Sequence, residues 1–553
     1  MLKDDSKKIK IFSLERLRRT MLLKKKEKTS NIKVNAIFNA IYQVLILIVP
    51  LITTPYISTI FASDVIGSYS YGFSLVQYFV LAANFGFTIY GTTIIAKYRN
   101  DKEEENKKFW GLMYCKTILD VVVIGIFFGI LYSGILYNGA FPLNDNNIYL
   151  IFSLNIFASL FDTTFLFQGK EKFVNLCIRN LIVKVVSTIL IFIFVKVEAD
   201  YRIYVLILSC SYFFSGFITL INTPFMVSKP VKVSFKELGE HFKQSFIFFL
   251  PSLATTIYTI ASKSILGAIQ GDSFQSGYYE QANKIIDIIV SLVNSINTIL
   301  MARMAYLYAT HQEEEIKRKT DKTMQLYSVI APPCFFGLIA INDYLTLGFL
   351  GPNYEGSVIL IYILAIKILI VPISNIIGSI YYIPCNLYWK RTIYLCSGAI
   401  FNILINTLLV YFFSSIGASI GIVLTEILVS FLYVWGSRKD IDYTAFFKDI
   451  WRTLIASLVM FGVTFGLKFI MHDGISYLLP LMNINSERII YFVTAVILVI
   501  IGVIVYGVLL LILKEPLTTG IVLGLKNKFI SIIKKNKSSE AEKESIDEEN
   551  KGL

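Results

Sequence analysis

The stretch FLPSLATTIYTIASKSILGAIQ, residues Phe249–Gln270, has the composition of a membrane-spanning helix but contains one lysine, Lys263. At about 1.5 Å rise per residue it is long enough to cross roughly 30 Å of hydrocarbon. No carboxylate lies within one helical turn of Lys263, and an ammonium group at the centre of a span costs roughly 2.5–3.5 kcal/mol on insertion scales. We therefore expect Lys263 to face a water-filled cavity that receives an anion.

The composition extends this interpretation to the whole chain. Of its 553 residues, 55% are hydrophobic and only 16% are charged, which leaves too little polar surface to cover a soluble globule. Apolar runs of about 20–28 residues recur along the sequence and predict an all-α polytopic membrane protein with about 14 transmembrane helices. The predicted spans are 33–62, 65–96, 109–137, 147–169, 173–197, 203–227, 244–270, 278–308, 323–350, 357–384, 391–414, 416–437, 450–472 and 489–513.

The connections between the predicted spans alternate in charge. Lys and Arg are frequent in every second connection, whereas Ala140–Asn147, Gly271–Gly277 and Gly351–Ser357 contain neither. Because cytoplasmic loops retain Lys and Arg, the alternation predicts a multi-pass protein with both termini in the cytoplasm. The formal net charge of +13 then reflects topology and attraction to anionic lipids at the cytoplasmic face, and nucleic acid is not an expected partner.

The two ends of the chain are polar. In the basic N-terminal arm, residues 1–31, the spacing of Leu14, Leu17 and Met21 fits a helix lying on an anionic leaflet, and a solvated basic tail is the alternative. The cytoplasmic tail, residues 514–553, ends in SSEAEKESIDEENKGL, which is polar enough to remain disordered. The six cysteines lie within or at the ends of predicted spans without C-x-x-C spacing, so we expect neither a disulfide framework nor a metal site or other cofactor.

Two segments share a weak internal repeat. One, VPLITTPYISTIFASDVIGSYSY, begins at Val49, and the other, LPSLATTIYTIASKSILGAIQGDSFQSGYYEQ, begins at Leu250; each contains a proline, a Thr-Thr pair and then a glycine followed by tyrosine. Repeats of this kind are common in transporters built from related halves. The predicted organisation is an N-terminal arm 1–31, an N-lobe 32–227, a cytoplasmic linker 228–243, a C-lobe 244–438, a final helix pair 439–513 and a tail 514–553.

Polar side chains form stripes along two predicted spans of the C-lobe. In the seventh span, Ser252, Thr255 and Thr259 precede Lys263 on about one helical face. The eighth span carries a heptad stripe of Glu280, Lys284, Asp287, Ser291, Asn294 and Thr298. Such faces either line a polar cavity or hold neighbouring helices together through hydrogen bonds and i,i+4 pairing within the stripe.

Cations without a local acid favour the cavity, because hydrogen bonds between helices need no charge. Arg179 and Lys184 lie in the fifth predicted span and Lys367 lies in the tenth. A site for phosphate or pyrophosphate requires Lys or Arg, whereas a pump for lipophilic cations requires an unpaired acid. The predicted substrate-binding residues are Lys263, Lys284, Arg179, Lys184 and Lys367.

Several carboxylates in the spans have two possible roles. We interpret Glu280, Asp287 and Glu426 as candidates for coupling to protons or sodium ions, and neutralisation of neighbouring cations is the alternative. The pair Lys116 and Asp120, spaced i,i+4 in the third span, is interpreted as structural. No P-loop motif occurs, so ATP is not expected to drive the protein directly, and a membrane potential or an ion gradient is the expected energy source.

Four stretches carry a resemblance to a known family. They are VPLITTPYISTIFASDVIGSYSYG from Val49, FLFQGKEKF from Phe165, SGYYEQANKI from Ser276 and FNILINTLLVYFFSSIGASIGIVLTE from Phe401. Together they make the chain resemble, over nearly its full length, the Wzx-type polysaccharide repeat-unit flippases of the multidrug/oligosaccharidyl-lipid/polysaccharide exporter superfamily. The resemblance implies two pseudo-symmetric six-helix lobes of the MATE-like fold around a central cavity, followed by a C-terminal helix pair.

The resemblance also implies a function. Alternating access would carry an undecaprenyl-pyrophosphate-linked oligosaccharide from the inner to the outer leaflet of a bacterial cytoplasmic membrane, for capsular or exopolysaccharide synthesis. Cations in the cavity would hold the pyrophosphate, and a polysaccharide polymerase would be a partner. Asn402 and Asn406 resemble polar positions linked to cation coupling in some members. Relatives that flip a lipid-linked peptidoglycan precursor have basic residues in the first two helices, which this chain lacks up to Lys97, so Arg179 and Lys184 are the predicted first-lobe cations.

Two other functions are weighed against a flippase. A cation-coupled multidrug antiporter of the same fold is disfavoured by the first span, which offers Asn35, Asn39 and Gln43 but no carboxylate. A membrane enzyme, such as a polysaccharide polymerase, usually shows a large loop domain with clustered catalytic groups. Here the predicted loops are short, and His241, His311 and His472 are scattered. We therefore predict a transporter and no enzymatic activity.

Overall fold

The computed structural model describes residues 47–136, 141, 143–309, 312–383, 385, 387–441, 443–481 and 486–520. Within these ranges the regular structure is helical, and no strand occurs. The predicted N-terminal arm, the amides Asn35, Asn39 and Gln43, and the tail beyond residue 520 lie outside the described residues. The side chains of residues 295–303 are likewise not described.

The described helices follow one another with short connections. We number them α1 Leu47–Ile60, α2 Ser63–Tyr98, α3 Lys102–Tyr132, α4 Asn146–Gly169, α5 Phe173–Phe194, α6 Glu198–Phe225, α7 Phe235–Gln270, α8 Ser273–Ala309, α9 Glu313–Phe349, α10 Ser357–Ser379, α11 388–413, α12 415–437, α13 Thr444–Leu481 and α14 Glu487–Ile512. Eleven helical segments of the described chain are long and apolar enough to cross a membrane. The all-α polytopic class predicted from composition is confirmed, and the span count of about 14 stays a prediction.

Side-chain caps and one sharp break explain several of the helix limits. The Asp101 carboxylate accepts hydrogen bonds from the backbone of Glu103 and Glu104 at the start of α3. Helices α11 and α12 form a continuous run, Tyr388–Ser437, interrupted at Ser414, where φ is 52° and ψ is −130°. Pairs such as Asn402 and Thr425 then face each other across the two arms. The break therefore converts one long apolar run into a helical hairpin, as the predicted spans 391–414 and 416–437 require.

The chain divides into two compact units. The first comprises residues 1–53 and 72–253, and the second comprises residues 54–71 and 254–553. The unit boundaries fall inside α1, α2 and α7, so these three helices contribute to both units. The lobe division at 32–227 and 244–438 stays a prediction.

The first unit is held together by buried polar contacts. Lys116 and Asp120 are 1% and 0% exposed, and the Lys116 ammonium lies 3.3 Å from the Asp120 carboxylate. Ser159 of α4 donates a hydrogen bond to Asp120 at 3.1 Å, and its carbonyl accepts one from Lys116. The i,i+4 pair predicted from spacing is therefore present, and it ties α3 to α4.

The connection after α6 is fastened to α3 and α4 in the same unit. Lys170, in the FLFQGKEKF stretch, pairs with Glu105 at 2.6 Å and donates to the carbonyl of Met226 at 2.7 Å. The Trp110 indole donates to the carbonyl of Ser228 at 3.0 Å. These contacts fix the segment that leads into α7.

In the second unit, α13 and α14 pack against α9. The Lys468 ammonium lies 2.7 Å from the Asp343 carboxylate, with the lysine side chain 5% exposed. At the start of α14, Arg488 donates to the carbonyls of Phe349 and Pro55, at 2.7 and 2.8 Å. A cation at the C-terminal end of α9 also complements the helix dipole. The final helix pair is thus docked onto α9 by charged contacts as well as by apolar packing.

The beginnings of α2 and α8 cross closely at two glycines. A Cβ atom on Gly67 would overlap the carbonyl of Ser273, and one on Gly277 would overlap the carbonyl of Ser63. The two helices therefore start with matching small-x-x-x-small pairs, which allow backbones to touch. These glycines are the ones that the internal repeat places before tyrosine, so the repeat marks a reciprocal contact within the second unit.

We expect Gly277→Ala to lower the stability of the purified protein, because the added methyl group overlaps the backbone of Ser63. Overpacking of this kind costs about 1–3 kcal/mol. The melting temperature in detergent measures the effect. Gly129→Ala is the matched control, since nothing lies within 4 Å of its added Cβ, and equal melting temperatures for the two variants would contradict the close crossing.

Candidate functional site

Lys263 is held by a carboxylate from the next helix. In the second unit, its ammonium nitrogen on α7 lies 2.6 Å from the Oε2 atom of Glu280 on α8. The same oxygen accepts a hydrogen bond of 2.7 Å from the hydroxyl of Ser70 on α2. The side chains of Lys263 and Glu280 are 23% and 11% exposed. Three helices therefore meet at one carboxylate.

This geometry corrects the interpretation of Lys263 as an unpaired cation. No acid lies within a turn of Lys263 along α7, as the sequence shows, but Glu280 approaches it across the helix interface. A charge in the membrane usually meets a partner on another helix, which the local sequence of one helix does not reveal. Lys284, one turn beyond Glu280 on α8, adds a second positive charge near the carboxylate.

Lys367 is also paired, so the interpretation of this residue as an unpaired cation is corrected as well. Its ammonium on α10 lies 3.1 Å from Asp287 Oδ1 and donates to Asn283 Oδ1 at 2.8 Å. The Asn283 amide in turn donates to Asp287 Oδ2 at 2.7 Å. The Lys367 side chain is 8% exposed and that of Asp287 is 54% exposed. The three side chains form a closed ring of polar contacts between α8 and α10.

Glu426 adds a buried acid close to this ring. The residue lies on α12 and is 5% exposed, and no hydrogen bond to its carboxylate is found within the described part of the chain. It interacts electrostatically with Lys367 and with Asp287. One cation thus faces two carboxylates. An arrangement with excess negative charge can accept a proton or another cation.

The predicted cations of the first unit have different surroundings. Arg179 on α5 donates to the Asn180 side chain at 2.9 Å, to the Thr164 hydroxyl at 3.1 Å and to the carbonyl of Ser215 at 3.2 Å. It therefore links α5 to α4 and α6 through neutral groups. Lys184 is exposed, and its ammonium makes no ion pair with the described residues. The five predicted substrate-binding residues are divided between the two units.

Asn402 and Asn406 lie side by side in the hairpin and are 0% exposed. The Asn402 amide nitrogen donates to the Thr425 hydroxyl at 2.9 Å. The oxygen of each amide has no hydrogen-bond partner among the described residues. A Cβ on Gly421 would lie 2.7 Å from the Asn406 amide carbon, so glycine makes room for this side chain. Two buried oxygens without donors suit a cation or a water molecule.

Sequence reasoning missed Ser70 and Asn283 as members of these clusters. Both lie in stretches that carry the family resemblance, Ser70 in the first and Asn283 in SGYYEQANKI. Their spacing identifies them as polar positions in a span, but their partners belong to other helices. Finding these contacts from the sequence would have required knowing which polar positions of different spans face each other.

The chain is similar to proteins of polysaccharide biosynthesis. Residues 32–304 match the sequence family described as "Polysaccharide biosynthesis protein". A protein of Escherichia coli strain K12 named "Putative O-antigen transporter" is 25% identical over 410 residues, which cover 73% of this chain and 96% of that protein. A protein of Haloferax volcanii named as a probable low-salt glycan biosynthesis flippase is 21% identical over 252 residues, which cover 45% of this chain and 52% of that protein.

The fold has a counterpart among solved structures. A lipid II flippase, MurJ, in an inward closed conformation superposes with a TM-score of 0.67 at 13% sequence identity. The match covers 88% of this chain and 99% of the flippase. At this level of identity the likeness concerns the fold. The similarity to proteins of polysaccharide biosynthesis, predicted from four sequence stretches, is confirmed by the family match and the relatives, and the structural match shows a shared fold.

Proposed function

We propose that this protein is a flippase that moves an undecaprenyl-pyrophosphate-linked oligosaccharide repeat unit across a bacterial cytoplasmic membrane. The observation that carries the proposal is the group of lysines within the membrane helices of the second unit, where Lys263 and Lys284 flank a single carboxylate, Glu280. The relatives named as an O-antigen transporter and a glycan biosynthesis flippase support the same substrate class. Capsular or exopolysaccharide synthesis is the proposed context.

The physical task is to carry charge and sugar through hydrocarbon. A pyrophosphate and several sugars lose their hydration in a bilayer, and isolated buried charges are strongly unfavourable. Lysine ammonium groups bind phosphate oxygens through charge-assisted hydrogen bonds. We propose Lys263, Lys284 and Lys367 as the substrate-binding cations of the second unit and Arg179 and Lys184 as those of the first unit, in a transporter that works by alternating access.

The proposed topology has both termini in the cytoplasm, with anionic lipids attracting the basic cytoplasmic segments. A polysaccharide polymerase is a proposed partner, since it would use the flipped repeat unit. The strongest alternative is a cation-coupled multidrug antiporter, because the buried acid Glu426 lacks a described hydrogen bond. A deletion strain separates the two functions: a flippase defect leaves complete lipid-linked repeat units on the inner leaflet, whereas loss of cationic dye export with normal glycan indicates the antiporter.

We expect Lys263→Ala and Lys263→Glu to reduce surface polysaccharide by more than about tenfold in the complemented deletion strain, because loss of one partner of a buried charged contact typically costs 2–5 kcal/mol. Extracted polysaccharide and the amount of protein in the membrane are measured together. Lys439→Ala, which changes an exposed lysine, is the control. Normal polysaccharide in both Lys263 variants would remove this residue from the mechanism.

We further propose that Asn402 and Asn406, with the Thr425 hydroxyl, bind a coupling sodium ion, and that Glu426 and Asp287 near Lys367 are the alternative coupling group, for protons. The oxygens of the two amides lack described donors, which supports the first assignment. The excess of carboxylates around Lys367 supports the second.

Replacing choline chloride by sodium chloride should stabilise the purified protein, by about 1.4 kcal/mol when sodium is at about ten times Kd. Asn406→Leu should abolish this gain in the thermal melt, because it removes one of the oxygen ligands. Asn222→Leu, on an exposed amide, should retain it. If sodium has no effect and collapse of the proton gradient alone stops export, the proton alternative at Glu426 replaces the sodium site.

A further inference from the structure

An anion that binds at Lys263 meets an ammonium group that already has an anionic partner, Glu280. The ammonium and carboxylate are 2.6 Å apart, and both are largely removed from solvent. Pairing offsets much of the penalty for placing a lysine in a membrane helix, since a buried charge with a hydrogen-bonded partner is far less unfavourable than a lone one. While this contact persists, however, the pair has no net charge and attracts a second anion only weakly.

Glu280 has contacts that remain when Lys263 turns away. The Ser70 hydroxyl donates to it at 2.7 Å, and Lys284 lies near it on the same helix. Lysine carries its charge on a flexible four-carbon stem. Lys263 can therefore rotate towards an incoming anion while Glu280 stays hydrogen-bonded and electrostatically compensated in place.

We propose that Glu280 is a resident counter-anion of Lys263 and that the diphosphate headgroup displaces it during binding. The inference rests on the proposed function above and gives Glu280 the role of a counter-ion that weakens anion binding and takes its place at Lys263 again on release. The exchange breaks one Lys263–carboxylate contact and forms at least one Lys263–phosphate contact, so its net free energy depends on how many further contacts the anion gains.

The exchange has the same cost for every anion that binds at Lys263. A monophosphate and a diphosphate must each break the Lys263–Glu280 contact before they can take the place of the carboxylate. Glu280 thus lowers the affinity for both by a similar factor, and only an anion that gains further contacts binds tightly.

Binding of farnesyl diphosphate and farnesyl monophosphate to the purified full-length protein tests the role of Glu280. We expect Glu280→Gln to bind both ligands about tenfold more tightly, as a coupling of about 1.4 kcal/mol between close charges implies, because neither ligand has to break the Lys263–Glu280 contact. The ratio of the two Kd values therefore stays near its wild-type value. Glu280→Asp, whose shorter side chain weakens the contact to Lys263, should tighten binding by a smaller factor and serves if the first variant is not monodisperse.

Two controls separate displacement from a general change of charge. In a Lys263→Met background, Glu280→Gln should produce a clearly smaller gain, because the released ammonium is absent and only Lys284 remains near the site. Asp343→Asn removes a carboxylate from another buried lysine pair of the second unit and should leave both Kd values unchanged. An equal gain in the Lys263→Met background, or unchanged Kd values in Glu280→Gln, would overturn the displacement role.

The outcomes also distinguish this inference from the proposed function. If wild-type protein binds farnesyl diphosphate through Lys263 but Glu280→Gln and Glu280→Asp keep the wild-type Kd, the displacement role of Glu280 is wrong and the flippase proposal remains. If neither wild type nor Glu280→Gln binds the diphosphate, and Lys263→Ala exports glycan normally, the anion site itself is wrong and both proposals fall.

Discussion

An ammonium group inside a membrane needs a compensating partner, and this requirement organises the second unit. Lys263 meets it through Glu280 of the following helix, and Glu280 in turn binds Ser70 of α2. Lys367 meets the same requirement through Asp287 and Asn283. Because each contact joins different helices, the charges specify which faces of the helices meet. Apolar packing alone does not do so, since lipid is as apolar as a leucine side chain.

The fold follows from local features of the sequence and was largely predictable. Hydropathy depends on neighbouring residues, so the described helices overlap the predicted spans, including the hairpin with its break at Ser414. The pair of Lys116 and Asp120 was also predictable, because i,i+4 neighbours share one helix face. The internal repeat correctly singled out two equivalent glycines, Gly67 and Gly277, although their mutual contact appears only in the folded chain.

The sequence predicted which charged residues belong to the site. It did not predict which of these residues form pairs. The polar stripe on α8 identified Glu280, Lys284 and Asp287 as belonging to a face that avoids lipid. It could not show that Glu280 turns to α7 while Asp287 turns to α10, because the rotation and register of one helix against another depend on the whole packed unit. The interpretation of Lys263 and Lys367 as unpaired failed for this reason.

The pairing of lysines with carboxylates changes how a proposed anion site in this protein would hold and release its ligand. Lys263, Lys284 and Lys367 are balanced in formal charge by Glu280, Asp287 and Glu426, so these six side chains together carry no net charge. A site with lasting positive charge would hold a diphosphate too firmly, since transport requires binding strong enough for entry and weak enough for release. In the proposed mechanism, resident carboxylates would solve this problem by re-forming their ion pairs as the anion leaves. Charge balance is thus compatible with anion transport and favours turnover over tight binding.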